Sequence, residues 1–101
     1  MNYRIVFSPD ADADINSIVR WYQNIDPNLA VRFLKENKTV QQRIKRMAYA
    51  FPIRTSGYRR ARLNRFPYFI YYSVEMNIVT IDAVVHQRRS EGPRMGRGQW
   101  P

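Results

Sequence analysis

The chain has 101 residues, with 17 basic and 8 acidic side chains and a formal net charge of +9. This length fits one small domain and is too short for two, and a composition that is 45% hydrophobic and 14% aromatic excludes a disordered chain. The absence of cysteine excludes disulfides, thiol catalysis and zinc sites built on cysteine. Since the apolar runs are only a few residues long, we expect no membrane span and a cytoplasmic location.

The positive charge is unevenly distributed along the chain. Up to Val31 there are two basic and four acidic residues, whereas from Arg32 onward there are 15 basic and 4 acidic residues, a net charge of +11. Fourteen of the 17 basic residues are arginines, whose planar guanidinium binds phosphate or carboxylate through two parallel hydrogen bonds. The composition therefore indicates an anionic partner: a nucleic acid, an acidic protein or a membrane surface.

The first third of the chain predicts one strand followed by two helices. Residues 2–7 alternate between two sets of side chains, which predicts a strand. Ser8-Pro9 and Asp26-Pro27 each combine a capping side chain with a proline suited to the first helical position. Apolar stripes at helical spacing follow both signals, and the short connection between them predicts an antiparallel helical hairpin. Residues that form these stripes are Ala11, Ile15, Ile18, Val19, Tyr22, Ala30, Phe33, Leu34, Ile44, Met47 and Ala48.

The second half of the chain predicts three strands. Residues 51–57 carry loop signals, and residues 58–63, 67–74 and 78–86 then show the two-residue period and the β-branched and aromatic side chains of a meander. The order β-α-α-β-β-β predicts an α+β fold, with the helical hairpin packed on one face of a small, mainly antiparallel sheet. We expect one domain over residues 1–89 and a basic, flexible tail over residues 90–101.

Alternation along the strands predicts which side chains share a face of this sheet. In the last strand, one apolar set should face the helices, and it consists of Val79, Ile81, Ala83 and Val85. The side chains that should then lie together on the face away from the helices are Arg60, Arg62, Asp82 and His86. A face of this kind, which mixes arginine with aromatic rings, suits nucleotide binding as well as protein recognition.

His86 is the one histidine, and two interpretations of it stay open. A histidine near its ordinary pKa can act as a general acid or base. Alternatively, a histidine at a strand end forms a structural hydrogen bond with the neighbouring loop. The sequence contains no cluster of metal ligands, so neither a metal nor another cofactor is predicted.

Several segments together resemble the RelE/ParE superfamily of bacterial type II toxins, which includes plasmid stabilisation toxins. They are the opening YRIVFSPDADADI, Trp21-Tyr22, the RFL at Arg32–Leu34 and the run FPYFIYYSVEMNIVTIDAVVHQRR. The resemblance extends from about Tyr3 to Arg89. It implies a cytoplasmic toxin, away from any membrane, that forms a hetero-oligomer with an acidic antitoxin.

One branch of this superfamily, RelE-like, cuts messenger RNA on the ribosome without a metal. Resemblance to that branch assigns phosphate contacts to Arg60 and Arg62, and it gives a further arginine position to Arg88. His86 would move the proton during attack of the 2′-hydroxyl on the phosphate. In that interpretation the enzyme is an mRNA endoribonuclease, or mRNA interferase, with His86, Arg62 and Arg88 as its catalytic residues.

The other branch, ParE-like, inhibits DNA gyrase and has no recognised set of nuclease residues. The RelE-like pattern expects an arginine after the tyrosine of the middle strand, where this chain has Phe69 after Tyr68. It also expects a tyrosine near the C-terminus, and no tyrosine follows Tyr72. The resemblance therefore favours a ParE-like toxin that inhibits growth as a protein ligand of gyrase, with the endonuclease and a non-toxic binding module as alternatives. Residues expected to contact phosphate or a partner are Arg60, Arg62, Arg65, Arg88 and Arg89.

Overall fold

The computed structural model of the protein describes residues 3–89. The predicted tail, residues 90–101, lies outside the described residues. No helix in residues 3–89 combines the length and the apolar content that a membrane span needs. The elements in chain order are β1 (Arg4–Phe7), α1 (Pro9–Ile25), α2 (Pro27–Arg46), β2 (Ile53–Thr55), β3 (Tyr58–Arg62), β4 (Tyr68–Glu75), β5 (Ile78–His86) and a 3-10 helix (Gln87–Arg89).

Both helices begin where the capping signals predict. The Ser8 hydroxyl accepts a hydrogen bond from the Ala11 N–H at 3.0 Å, and Pro9 is the first residue of α1. Asp26 serves both helices, since its backbone N–H donates to the Tyr22 carbonyl at 2.8 Å and its carboxylate accepts from the Asn28 N–H at 3.0 Å. One shared cap residue leaves no room for a longer linker, so the two helices form the predicted hairpin.

The five strands form a single sheet in the order β1-β5-β4-β3-β2. Strand β1 pairs with β5 in parallel, and the remaining neighbours are antiparallel. The predicted α+β class, with a helical hairpin on one face of a mainly antiparallel sheet, is confirmed. The face that packs against the helices is called the helix face below, and the opposite face is called the open face.

The loop predicted over residues 51–57 contains one more strand, β2. Strands β2 and β3 are joined by Ser56 and Gly57, whose φ angles are 46° and 83°. Two consecutive positive φ angles are the geometry of a type I′ turn, which matches the twist of the strands it connects. Ser-Gly therefore makes a tight hairpin here, and the prediction of a loop through residue 57 was wrong for Ile53–Thr55.

The main core lies between the helices and the helix face and is rich in aromatic rings. Phe33 of α2 is fully buried, and its ring centroid lies 5.9 Å from that of Tyr22, 5.6 Å from that of Phe66 and 5.7 Å from that of Tyr68. Inclined rings at these separations add a favourable electrostatic contribution to the burial of their area. This cluster fixes the position of the hairpin at the end of the sheet where β4 begins.

Candidate functional site

The open face carries arginines above a small apolar cluster. Arg60 and Arg62 of β3 alternate with Ala61 and with Leu63, the residue after the strand, and both of these apolar residues are fully buried in the main core. The guanidinium carbon of Arg60 lies 4.0 Å from the ring centroid of Phe69, within the range of a cation–π interaction. A second cluster lies on this face and consists of Tyr71, Ala83 and Val85, with Tyr58 and Phe69 packed against it.

A β-bulge in β5 changes which side chains reach the open face. Opposite β4, Tyr71 pairs with Ala83 and the next residue, Tyr72, pairs with Ile81, so Asp82 is the extra residue on β5. An extra residue interrupts the two-residue alternation of side chains. Two contacts from the N-terminal part of the chain hold this position.

The first of these contacts comes from Asp14 of α1. Its carboxylate is buried and accepts a hydrogen bond from the Val84 N–H at 3.0 Å. The second comes from Ser8, whose hydroxyl donates to the Asp82 carbonyl at 3.1 Å. A bulge leaves backbone groups without a partner in the ladder. Helix α1 and its cap residue therefore provide hydrogen-bond partners for backbone groups that the bulge leaves unpaired in the ladder.

The bulge corrects the predicted assignment of faces in β5. Val79 and Ile81 face the helices as predicted, and so does Val84, which belongs to the main core. Ala83 and Val85, predicted to face the helices, lie instead in the open-face cluster. The predicted two-residue alternation is correct up to Ile81 and wrong beyond it, because an alternating pattern assumes that no residue is inserted in the strand.

His86 is correspondingly on the helix face, and the prediction that it shares a face with Arg60 and Arg62 was wrong. Its ring centroid lies 5.3 Å from that of Tyr68, at an interplanar angle of 81°. Tyr68 is 2% exposed and belongs to the main core. The histidine therefore borders the aromatic core rather than the arginines of β3.

The environment of His86 keeps its imidazole neutral. Its Nδ1 accepts a hydrogen bond from the Arg88 N–H at 3.1 Å, which leaves the ring proton on Nε2. Burial lowers the pKa of His86 below its ordinary value of 6.5, and the charges of Arg88 and Arg89 lower it further. With Nδ1 occupied, the ring has no free lone pair for a general base. This geometry favours the structural interpretation of His86, whose ring caps the 3-10 helix that begins at Gln87.

Two tyrosines of β4, Tyr72 and Tyr68, are equally poor candidates for proton transfer. Tyr72 is fully buried, its hydroxyl donates to the Ala48 carbonyl at 2.7 Å, and burial raises its pKa to about 12. Burial also raises the pKa of Tyr68, and its hydrogen bond with Tyr22 acts in the same direction. Hydroxyls with such pKa values stay protonated at neutral pH.

Four arginines, called the basic end below, are placed at one end of the sheet. Arg62 is the last residue of β3 and pairs with Phe69 near the start of β4. The turn and the 3-10 helix meet there, because the Gln87 N–H donates to the Pro67 carbonyl at 2.8 Å. The members of the basic end are Arg62 on β3, Arg65 in the β3–β4 turn, and Arg88 and Arg89 in the 3-10 helix. Arg60 lies two residues before Arg62 on the open face.

The turn that carries Arg65 is fixed by α2. The Glu36 carboxylate accepts hydrogen bonds from the N–H groups of Asn64 and Arg65, the latter at 2.9 Å. Sequence reasoning missed this contact, since a glutamate on the polar side of a helix carries no signal of a distant turn. Asp14, in contrast, did give a signal of a distant partner. It lies in the apolar stripe of α1, where a charged side chain needs a specific partner.

Arg59, which lies between the open-face residues Tyr58 and Arg60 of β3, was also missed. Its Nη1 donates to the Phe51 carbonyl at 2.6 Å, and its guanidinium carbon lies 4.9 Å from the ring centroid of Tyr49. It therefore connects β3 to the loop after α2 and acts as a structural residue. Among residues 3–89, no three His, Asp or Glu side chains are grouped closely enough to hold a metal ion.

The fold also occurs in a solved structure. The solved structure titled "Chromosomal ParDE TA system from P. aeruginosa" is similar to this chain, with a TM-score of 0.66 over 83% of this chain and 95% of the other. The two sequences are 18% identical, so this likeness concerns the fold. No curated protein is similar enough in sequence to count as a relative.

The family model described as "ParE toxin of type II toxin-antitoxin system, parDE" matches residues 5–91. The chain therefore belongs to the ParE toxin family, within the RelE/ParE superfamily that its segments resemble. Membership of this family implies that an antitoxin is its partner. The matched segment includes the bulge, the open face and the basic end.

Proposed function

We propose that the protein is a toxin that inhibits DNA gyrase as a protein ligand and that acts in the cytoplasm until an acidic antitoxin neutralises it. The family match supports the toxin class. The observation that favours a ligand over a nuclease is the separation of His86 from Arg60 and Arg62 by the bulge at Asp82. General acid–base catalysis requires the proton-transferring group within hydrogen-bond reach of the reacting atoms.

The remaining groups of the endonuclease hypothesis are also unfavourably placed. Phe69, which stands where an arginine is expected, packs under Arg60 on the open face. Tyr68 and Tyr72 point into the main core and keep their protons. What stays in favour of RNA cleavage is that Arg62 and Arg88 both belong to the basic end and are both exposed. Two arginines can stabilise charge on a phosphate, but they do not supply the proton transfer.

A gyrase supercoiling reaction tests the proposal. Purified toxin is added to gyrase and relaxed plasmid, and we expect loss of supercoiling at micromolar toxin. The His86→Ala variant should inhibit as well as the unaltered protein, provided that its folding is confirmed by circular dichroism. No inhibition at these concentrations by a correctly folded toxin would contradict the proposal.

Primer extension on a translated message, in cells in which the toxin is induced, tests the endonuclease alternative. The endonuclease hypothesis requires new 5′ ends after induction, and these ends should disappear in Arg62→Ala and His86→Ala. Under the gyrase proposal no such ends form. If induction produces neither new ends nor a growth defect, the non-toxic binding module is favoured over both.

A further inference from the structure

The first strand leaves one edge of the sheet unpaired. Strand β1 ends the sheet, and among the described residues no strand lies beyond it. In a parallel ladder, alternate residues of a strand turn both their N–H and their C=O toward the same neighbour. The Arg4 N–H donates to Asn77 and the Ser8 N–H donates to Ile81, each at 2.9 Å. The N–H and C=O of Ile5 and Phe7 therefore point away from the sheet, in the direction from which another strand could add.

A positively charged groove of about 480 Å³ runs beside this edge, between β1 and the second half of α2. Three cations line it: Arg4, Lys38 and Lys45. None of the described residues that line it is acidic. The Tyr3 N–H donates to the Lys45 carbonyl at 3.1 Å and closes one end of the groove. The full set of lining residues is Tyr3, Arg4, Ile5, Phe7, Lys38, Gln41, Gln42, Lys45 and Asn77.

The opposite edge of the sheet is less suited to strand addition. Strand β2 has three residues, follows Pro52 and pairs irregularly with β3 between Ile53 and Thr55. Prolines and irregular pairing are features that keep an edge from accepting another strand. Strand β1 has neither feature, and its Phe7 side chain is 37% exposed. Of the two edges, β1 alone combines regular pairing with a charged groove.

We propose that β1 and this groove form a docking site for an extended acidic segment of a partner protein. The segment adds a strand through hydrogen bonds to Ile5 and Phe7 and places alternate acidic side chains beside Lys38 and Lys45. Main-chain hydrogen bonds provide affinity in this mode of recognition, and alternate side chains provide specificity. Taking the antitoxin as the source of the segment rests on the proposed function.

Charge excludes the occupants that this chain could supply itself. A second copy that paired through its own β1 would bring another Arg4 toward Lys38 and Lys45. The tail, residues 90–101, carries Arg94 and Arg97 against the single acidic Glu91. Like charges placed side by side repel, whereas glutamates or aspartates on an incoming strand complement the groove.

Amide hydrogen exchange measured by NMR on the full chain tests the site. The probe is a capped ten-residue peptide that alternates glutamate and valine. We expect slower exchange at the amides of Ile5 and Phe7 when this peptide is bound. The matched peptide with lysine in place of glutamate should leave both rates unchanged. Protection at Ile53–Thr55 instead, or no protection by the acidic peptide at millimolar concentration, would overturn the proposal.

Substitutions distinguish the contribution of charge to peptide binding from the contribution of backbone hydrogen bonds. The double variant Lys38→Glu and Lys45→Glu should weaken binding of the acidic peptide by about tenfold or more, because it reverses two charges beside the bound strand. The matched control is the double variant Arg32→Glu and Lys35→Glu, which changes the net charge by the same amount. Both residues are exposed on α2 and line a different groove, near the β3–β4 turn, so this variant should bind within about twofold of the unaltered protein. Equal effects of the two changes would show that only the net charge matters, which contradicts the proposal.

Ile5→Pro removes a backbone N–H that the β1–β5 ladder does not use. We expect it to abolish peptide binding while the amide of Ser8 remains protected by its bond to Ile81. If the Ser8 amide loses protection, β1 has detached, and the decision then rests on the charge-reversal variants. Peptide binding that persists with β1 in place would overturn the proposed strand addition.

The antitoxin itself distinguishes failure of this site from failure of the proposed function. If the antitoxin binds and the amides of Ile5 and Phe7 stay unprotected, the docking site is wrong while the toxin function stands. If both amides become protected and gyrase is not inhibited by the free toxin, the docking site stands and the gyrase proposal fails.

Discussion

The two faces of the sheet use the same strands and differ in what covers them. On the helix face of β4, Tyr68, Ile70 and Tyr72 are buried against both helices. On the open face of the same strand, Phe69 and Tyr71 belong to a smaller cluster, and the guanidinium of Arg60 lies over one of these rings. We infer that most of the stability resides on the helix face. On the open face, Arg62 is exposed and Arg60 is partly exposed, so these arginines are available to a partner.

Deleting a ring from the helix face should have the largest effect on stability. Phe33→Ala removes a fully buried ring that contacts Tyr22, Phe66 and Tyr68, so we expect a loss of about 3–5 kcal/mol in the free energy of unfolding. The matched change on the open face, Phe69→Ala, should cost clearly less since that side chain is only partly buried. Urea denaturation measures both, and equal losses would show that the two faces do not differ in this way.

Asp14 affects both faces of the sheet, because its carboxylate holds the bulge. The bulge in turn determines on which face the side chains of β5 after Ile81 lie. Asp14→Ala leaves the Val84 N–H without its acceptor, so we expect a loss of about 1–3 kcal/mol in the free energy of unfolding. Asp14→Asn keeps an oxygen acceptor and should lose less. Asp12→Ala, an exposed acidic residue in the first turn of α1, is the control and should lose no more than about 1 kcal/mol. A loss in Asp14→Ala no larger than in the control would contradict this role for the carboxylate.

This bulge marks the limit of what the sequence predicts. Both helices, their caps and the three strands of the meander follow from local patterns, and the structure contains all of them. The segment IVTIDAVVH has neither glycine nor proline to indicate an irregularity, and the group that satisfies its backbone lies 70 residues earlier in the chain. The assignment of His86 to a face therefore depends on a tertiary contact that alternation cannot represent.

The cluster on the open face should respond weakly to loss of its arginine. Arg60→Ala removes the cation–π contact with Phe69, so we expect thermal or urea denaturation to show a loss of about 0.5–1 kcal/mol. Arg62→Ala, two residues further along the same face and exposed, should change the free energy of unfolding by about 0.5 kcal/mol or less. A larger loss for Arg62 than for Arg60 would place the stabilising contact at the basic end instead.

The smallest effect expected is a dependence on pH that comes from His86. Since the pKa of His86 is lowered in the folded protein, the unfolded chain binds the proton more readily. Stability should therefore be complete above the unfolded value of 6.5 and should fall as the pH drops from there through the lower folded pKa. Comparing urea midpoints at about pH 7.5 and about pH 5.5 in the unaltered protein and in His86→Ala isolates this contribution, since it should be absent in the variant. A difference of the same size in both proteins would assign it to other groups.

The pairing of β1 with β5 has a consequence for the order of folding. Arg4 and Ile78 are partners in the ladder, so the first strand cannot join the sheet until nearly the whole domain has been synthesised. Closing a loop of this length before its contacts form slows folding, and pairings between distant segments are the slow step in small domains. During synthesis, β1 and the two helices that follow it are made before β5, so β1 has no partner strand until β5 is complete. The folded toxin domain therefore appears only after β5 has been synthesised.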